Sequence, residues 1–512
     1  MAEVKDSPRK QYADSTIDTK GCFKNLNDFE RHKLQELWAK LFDNLTVDID
    51  EVRDSHDHLV SPLVLDLDDK DLEAKAAKSK DPVYQDCFFG ETIQDKVDFK
   101  IVSAEFKTTR ADNTLDSHIW ASIREDVPDT LILRFLRARK WNVNDAYDML
   151  LTCIKWRHLE RVEEIIFFGE AQNEASLTYK GTSYIHGIDK LGYPIVWAPS
   201  AKHFQKDQSF HQIKRYLVHM METARLMLKP PHEKVCLVMD LKNSTLANFD
   251  RSFVKLFLKY LEAYYPECLS VAILYKGPWW FSGAFKLVSP WIDPYVSQKI
   301  MFVKGSNELA PIANLDQLPK EYNSKNSYSY KYVLPKPNEN DILLDTEGRE
   351  AALKERNKII EEFKTLTKQW FEVGKATQEA KKLLKPSDTE HDKHKKRASS
   401  AAPPHKGSKS SQQKSSSAPP EHSPASGTAD SSHLNGNTVH TESPVQLSER
   451  ELLYDYQLKL EIELDIHRRR DKCQERLSMA ARKLDVYTRA KSFYHRTKVI
   501  SEDGSIDWSK LE

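Results

Sequence analysis

Few arrangements of side chains in this sequence could do covalent chemistry. There is no G-x-x-x-x-G-K-[ST] run, so no phosphate-cradling P-loop, and there is no H-E-x-x-H zinc helix. No G-x-G-x-x-G follows an apolar run. No G-x-S-x-G nucleophile turn occurs either, since the stretch Gly181 to Ile185 lacks its second glycine. Asp240 closes an apolar run, where α/β sites often lie, yet a single carboxylate there more commonly serves a turn. The cysteines (Cys22, Cys87, Cys153, Cys236, Cys268 and Cys473) are scattered, without the spacing of a zinc site or disulfide scaffold. An enzyme is therefore the least favoured class, and neither a catalytic set, a metal nor a cofactor is expected. What remains is an opposite-charge pair. Glu267 follows Tyr264-Tyr265-Pro266, and Lys299 heads the run KIMFV. Placed at neighbouring strand starts, such a pair either holds a polar headgroup or is a surface ion pair worth ~0–1 kcal/mol.

Beside this pair lies the most apolar material of the chain, around residues 275–303. Pro278 and Pro290 bracket about three helical turns, as their fixed φ and missing donors predict. Phe281, Ala284, Phe285 and Val288 share one face at i, i+3, i+4 and i+7. Trp279, Trp280, Leu287, Trp291 and Ile292 add apolar area on other sides. A helix apolar all round must be buried or must face lipid or an apolar ligand. Gly283 weakens it by roughly 1 kcal/mol relative to alanine. An ordinary core helix would explain this feature taken alone; a mobile flap is the sharper reading.

The elements around it have an α/β texture. Short apolar runs (TSYIHGI, YPIVWA, VCLVMDL, SVAILY, KIMFV) alternate with helical stretches near 211–228 and 249–264. That order predicts a largely parallel sheet covered by helices, with right-handed crossovers. Upstream, residues 113–175 form a helical lobe; TLILRFLRARKW is apolar on one face and basic on the other, and Asn144 opens the next helix. Residues 23–112 read as a helical and irregular extension whose first helix is capped by Asn27 with Glu30. Residues 1–22 are polar, mixed in charge and read as disordered, not as a secretory signal. Residues 176–330 hold the α/β domain, and 345–385 a long helix that packs back on it through Leu353, Ile360, Phe363, Leu366 and Trp370.

Composition sets the remaining boundaries. Only 39% of the 512 residues are apolar, which leaves part of the chain without a core to join. Residues 386–444 carry 14 Ser, 7 Pro and no aromatic, and read as a disordered linker. After it, 447–500 reads as a basic helix opened by Ser448 with Glu451 and broken near His467. From His467 to Ile500 there are 11 Lys/Arg against 3 Asp/Glu. That face is either solvated or contacts an acidic protein partner or an anionic membrane. With 77 basic and 77 acidic residues overall, a nucleic-acid-coating protein is excluded. No apolar run reaches 18 residues, so no segment is expected to span a membrane.

Four segments in order, FLRARK at 135–140, YYPE at 264–267, GPWWFSGAFKLVSPWIDP at 277–294 and KIMFVKG at 299–305, resemble the CRAL-TRIO lipid-binding family. Within it, they are most similar to the fungal phosphatidylinositol/phosphatidylcholine transfer proteins. The resemblance covers roughly residues 115–330. It implies a helical N-lobe followed by an α/β/α domain whose sheet floors an apolar lipid cavity. It also implies a gate built on Trp280, Phe281, Phe285 and Val288, and a headgroup site on Glu267 and Lys299 aided by Arg139 and Lys140. Ser244 and Thr245 are its candidate contacts to a second lipid. One position departs from the pattern. The family's threonine three residues before the lysine is Val296 here, which has no hydroxyl to offer a phosphate.

Exposed methylenes cost ~0.8 kcal/mol each, so a diacyl lipid needs such a cavity to cross water. The expected function is non-enzymatic binding and intermembrane transfer of phosphatidylinositol, in phospholipid homeostasis. The bound lipid is its ligand and contact with membranes is transient. The expected place is the cytoplasm, peripherally on internal membranes such as endoplasmic reticulum or endosome. The alternatives are another phospholipid, a sterol-like or isoprenoid cargo, or a lipid-sensing scaffold that recruits a protein through its C-terminal helix.

Overall fold

The structure, a computed structural model, describes residues 12, 15–52, 112–172, 175–228, 230–336, 338–384 and 447–510. The expected linker at 386–444 and most of the extension before residue 112 lie outside the described residues. The chain divides into two compact units, residues 1–372 with 464–512, and residues 373–463. The described part of the second unit is helical, residues 373–383 and 449–463.

In the first unit, α1 (Asp28–Phe42) opens with the capping box expected of Asn27 and Glu30. The N-lobe follows as α2 (Leu115–Ile123), α3 (Pro128–Ala138), α4 (Val143–Leu159) and α5 (Val162–Phe168). Asn142, not Asn144, caps α4: its side chain accepts from the N–H groups of Asn144 and Asp145. Residues 15–22 do not trail away as an unstructured terminus. Cys22 is buried, and the Gly21 carbonyl accepts from Arg137 at 2.6 Å.

The α/β part runs α6 (Ala175–Lys180), β1 (Tyr184–Ile188), β2 (Pro194–Pro199), α7 (Phe210–Leu226), β3 (Val235–Asp240), α8 (Arg251–Ala263) and β4 (Leu269–Tyr275). It continues through α9 (Phe281–Val288), α10 (Pro294–Ser297) and β5 (Ile300–Val303). The strands lie in the order β1-β2-β3-β4-β5; β1 pairs antiparallel with β2 and the rest are parallel. Alternation along the strands sends Trp197, Val238, Ile273 and Tyr275 to one face, packed against Leu309, Ile312, Leu318 and Tyr322. The opposite face carries Val196, Ala198, Leu237, Met239 and Ala272. Asp240 serves a turn: it accepts from the Lys242 N–H at 2.9 Å and from the Tyr322 hydroxyl at 2.8 Å.

The long helix α11 (Thr346–Leu383) buries Ile360, Phe363, Leu366 and Trp370 on the body. After the linker, α12 (Glu449–Asp485) passes His467 without a break, and a short α13 (Phe493–Arg496) follows. The basic run is neither simply solvated nor a free cationic surface, although Arg468 and Arg469 remain exposed. Arg470 is 0% exposed. It pairs through two nitrogens with Asp129, one at 2.6 Å, donates to Thr367 Oγ1 at 2.7 Å, and lies over the Phe363 and Trp370 rings. Asp129 also accepts from Trp38 Nε1 at 2.7 Å and Gln474 Nε2 at 2.9 Å. Burial would raise its pKa, but Arg470 and these donors hold it below the usual carboxylate range. Arg489 pairs with Glu125 and Asp485, and Arg496 with Glu170 and Glu339. Asp485 is an i−4 neighbour of Arg489, but Asp129, Glu125, Glu170 and Glu339 come from distant parts of the chain, so composition along the segment does not show that these charges are spent internally.

Removing one partner of a buried pair leaves the other charge uncompensated. Arg470→Ala is therefore expected to lower the unfolding free energy of the full chain by about 3–5 kcal/mol in a urea titration. An unchanged midpoint would show that this pair does not fix the helix.

Candidate functional site

The second face of the sheet is only partly covered, by side chains such as Phe257 and Leu261 of α8. It borders a cavity of about 280 Å³. Val196, Ala198, Leu237, Met239, Ala272 and Leu274 form the floor; α7 contributes Ile213, Leu217 and Met220, and α8 contributes Phe253, Phe257 and Leu261. Four of the polar side chains on the wall are paired with one another. The Ser183 and Tyr216 hydroxyls lie 3.0 Å apart, and His203 Nε2 is 3.3 Å from Asp250 Oδ2. Such a space accepts long apolar chains and has little to hold water or a reacting polar substrate.

A further side of the cavity is lined by α9. Trp280, Phe281, Phe285 and Val288 all line the cavity, which places the four expected gate residues together. The helix is shorter than the two prolines suggest. Trp280 is its N-cap, and residues 289–291 tighten into a 3-10 turn. It is also not buried all round. Ala284 and Val288 are buried, whereas Leu287 is 59% exposed and the preceding Trp279 88% exposed. One layer of helix thus separates the cavity from the outside. Its ties are few: Trp280 Nε1 donates to the Ser244 carbonyl at 3.1 Å, and the Phe285 ring meets Phe302 edge-on at 5.2 Å. A side chain at Gly283 would meet only open space.

The charged pair lies beside this lid. Leu269, Val296 and Ile300, chain neighbours of Glu267 and Lys299, line the cavity. Lys299 Nζ donates to the Leu269 carbonyl at 2.8 Å and lies 3.9 Å from the centroid of the Tyr295 ring. The Tyr295 hydroxyl donates to Glu267 Oε2 at 3.1 Å. Burial pushes the Lys299 ammonium down to about 8, against the opposing pull of Glu267. Lys234 and Arg137 also act on it. Glu267 holds a left-handed backbone, φ +58°, a conformation that costs a non-glycine residue of order 1–3 kcal/mol and recurs at ligand clamps.

The other sequence candidates stand differently. Arg139 is the C-cap of α3 and among the described residues its side chain reaches the Ala138 carbonyl, at 3.5 Å; Lys140 is exposed in the following turn. Arg137 is the base of that motif whose charge acts on both Lys299 and Tyr295. It is held by Gly21 and by the buried Glu233, at 3.0 Å. The Ser244 hydroxyl donates to the Leu241 carbonyl at 2.7 Å, and that of Thr245 to Asn248 Oδ1 at 3.1 Å. Neither Ser244 nor Thr245 lines the cavity. Sequence reasoning missed Arg137 and Tyr295. The basic spacing of FLRARK offers Arg137 as readily as its neighbours, while nothing local marks Tyr295.

Among the described residues no helix is long and apolar enough to cross a membrane, and no cluster of His, Cys, Asp or Glu is arranged to hold a metal. A family model for the CRAL/TRIO domain matches residues 178–323, and one for the CRAL/TRIO N-terminal domain matches 70–152, of which 70–111 lie outside the described residues. The phosphatidylinositol transfer protein CSR1 of Eremothecium gossypii is 34% identical over 54% of this chain and 65% of its own length. A CRAL-TRIO domain-containing protein of Schizosaccharomyces pombe is 33% identical over 52% of this chain and 62% of its own. The chain thus spans just under two thirds of each. A CRAL-TRIO domain-containing protein of Saccharomyces cerevisiae is 30% identical over 39% of this chain and 71% of its own. On these matches, and with a mixed sheet flooring a lidded apolar cavity, this chain belongs to the CRAL-TRIO family.

Proposed function

We propose that the protein holds one phospholipid in the cavity behind α9 and exchanges it between membranes without covalent chemistry, with phosphatidylinositol as the cargo. The observation that carries this reading is the join between apolar space and charge. Leu269 and Ile300, which open β4 and β5, line the cavity with Val296 of α10, and Glu267 and Lys299 stand just before those two strands. An ammonium suits a phosphate and a carboxylate suits polyol hydroxyls. The name of the Eremothecium relative, a phosphatidylinositol transfer protein, agrees.

The lid would open when Leu287 and Trp279 meet a bilayer, where their exposed surface is buried. No cofactor takes part in this reading. The protein would work in the cytoplasm and touch internal membranes, such as endoplasmic reticulum or endosome, only transiently. Val296 supports a second reading, a sterol-like or isoprenoid cargo, because it turns a methyl-bearing side chain toward the cavity where a hydroxyl would aid a phosphate. Of the basic residues on which a scaffold reading would draw, arginines 470, 489 and 496 are paired within the fold, whereas Arg468 and Arg469 are exposed.

Two measurements test the cargo. The purified protein, incubated with phosphatidylcholine vesicles containing phosphatidylinositol, should carry stoichiometric phosphatidylinositol by lipid mass spectrometry. Lys299→Ala should lower that loading about tenfold or more, the worth of a charge-assisted hydrogen bond. An abundant non-phospholipid instead would overturn the assignment. Because Lys299 loses its charge as pH rises through about 8, loading should fall between pH 7 and pH 9. Lys299→Arg, which stays charged, should flatten that profile. A flat wild-type profile would exclude Lys299 as the phosphate ligand.

A further inference from the structure

Tyr295 stands where a headgroup would have to go. Its hydroxyl takes Glu267 at 3.1 Å and its ring takes the Lys299 ammonium at 3.9 Å. The two groups assigned to the headgroup are thus both engaged by one side chain. The ring is not there by chance rotation of a long loop. Tyr295 lies in α10, where Pro294 sets the first turn and Asp293 Oδ1 accepts the Tyr295 N–H at 2.7 Å. It has room to leave, being 49% exposed. Of the three Lys299 donors one goes to the Leu269 carbonyl, and the ring covers one side of the ammonium, while the phenol takes one of the two Glu267 oxygens, so a headgroup competes with Tyr295 for both groups.

We propose that Tyr295 is the specificity-determining residue of the headgroup site: it fills the site when no headgroup is present, and a phosphorylated polyol enters only by displacing it. This inference rests on the reading that such a headgroup binds at Glu267 and Lys299. Its consequence is a threshold. A lipid whose headgroup makes weaker bonds to Lys299 and Glu267 than the tyrosine does leaves the ring in place and is held by its chains alone. Val296, the next residue, sharpens that threshold because it offers the incoming phosphate no hydroxyl.

The test uses the full chain as wild type, Tyr295→Ala, Tyr295→Phe and Lys299→Ala. Phosphatidylcholine vesicles with a minor fraction of phosphatidylinositol are the donor, and bound phosphatidylinositol per protein is the readout. Thermal unfolding checks that each variant is folded. Tyr295→Ala should raise phosphatidylinositol uptake about three- to tenfold, the worth of a partly exposed cation–π contact and one hydrogen bond. Tyr295→Phe keeps the ring and should fall between. If Lys299→Ala loses uptake while Tyr295→Ala equals or falls below wild type, the headgroup reading stands and this inference is overturned. If only Tyr295→Ala takes up phosphatidylinositol, the inference stands and the wild-type cargo is another lipid. No uptake by any variant sinks both. Should Tyr295→Ala fail to fold, Tyr295→Phe decides, and an uptake no higher than wild type rejects the inference.

Discussion

An apolar cavity withholds from a fold the contacts that a packed core would supply. Each lost contact is worth only ~0.1–0.2 kcal/mol, but a void the size of a ligand site loses many of them. The frame around the space must therefore be fixed from behind. On the far side of the sheet this is done by aromatic packing: Tyr322 lies against Trp197 with centroids 4.2 Å apart and against Tyr275 at 5.4 Å. The strands can then border the cavity with a partly covered face without collapsing into it.

Behind the helical wall the fixing is electrostatic. Tyr265 lines the cavity, and its hydroxyl donates to Glu222 Oε1 at 2.8 Å. Burial alone would raise Glu222, but Arg157 and Arg225 bring it down to about 2. From Glu222 the pairs continue through Arg157, Glu163 and Arg124 to Asp485 and Arg489 in the C-terminal segment. Buried pairs of this kind add little net stability over apolar packing, yet they heavily penalise any arrangement that separates them. Their effect here is positional. They set α7 and the C-terminal helix in one register with the N-lobe, which makes residues 464–510 part of the frame.

The lid is built to the opposite specification. It is eight residues long, carries a glycine facing open space, and is held by one indole–carbonyl bond and a few ring contacts. Segments with few buried contacts open at the lowest free energy. A rigid frame and a weakly held lid are what the proposed exchange would require: the space would have to survive while its cover moved. The charged pair at Glu267 and Lys299 sits on strand ends of the frame, so its geometry does not depend on the lid.

What the sequence determined by itself is whatever depends on local pattern. Apolar runs of strand length between amphipathic helices marked all five strands, and the face from Ile360 to Trp370 marked a helix that packs on the body. Pro278, Pro290 and the apolar residues between them marked the lid. Tertiary structure alone decided what depends on partners far along the chain. Arg470 meets Asp129 across 341 positions, so a run that looks like a cationic surface is instead interior. The hydroxyls of Ser244 and Thr245 were claimed by the backbone and by Asn248, and Arg137 of the FLRARK run was drawn inward to Gly21 and Glu233. Tyr295 sits one residue before the position that sequence comparison singles out, and only the folded turn swings its ring over Lys299. Periodicity reports which face of an element is apolar; it carries no information about which charge or hydroxyl from another element will reach that face first.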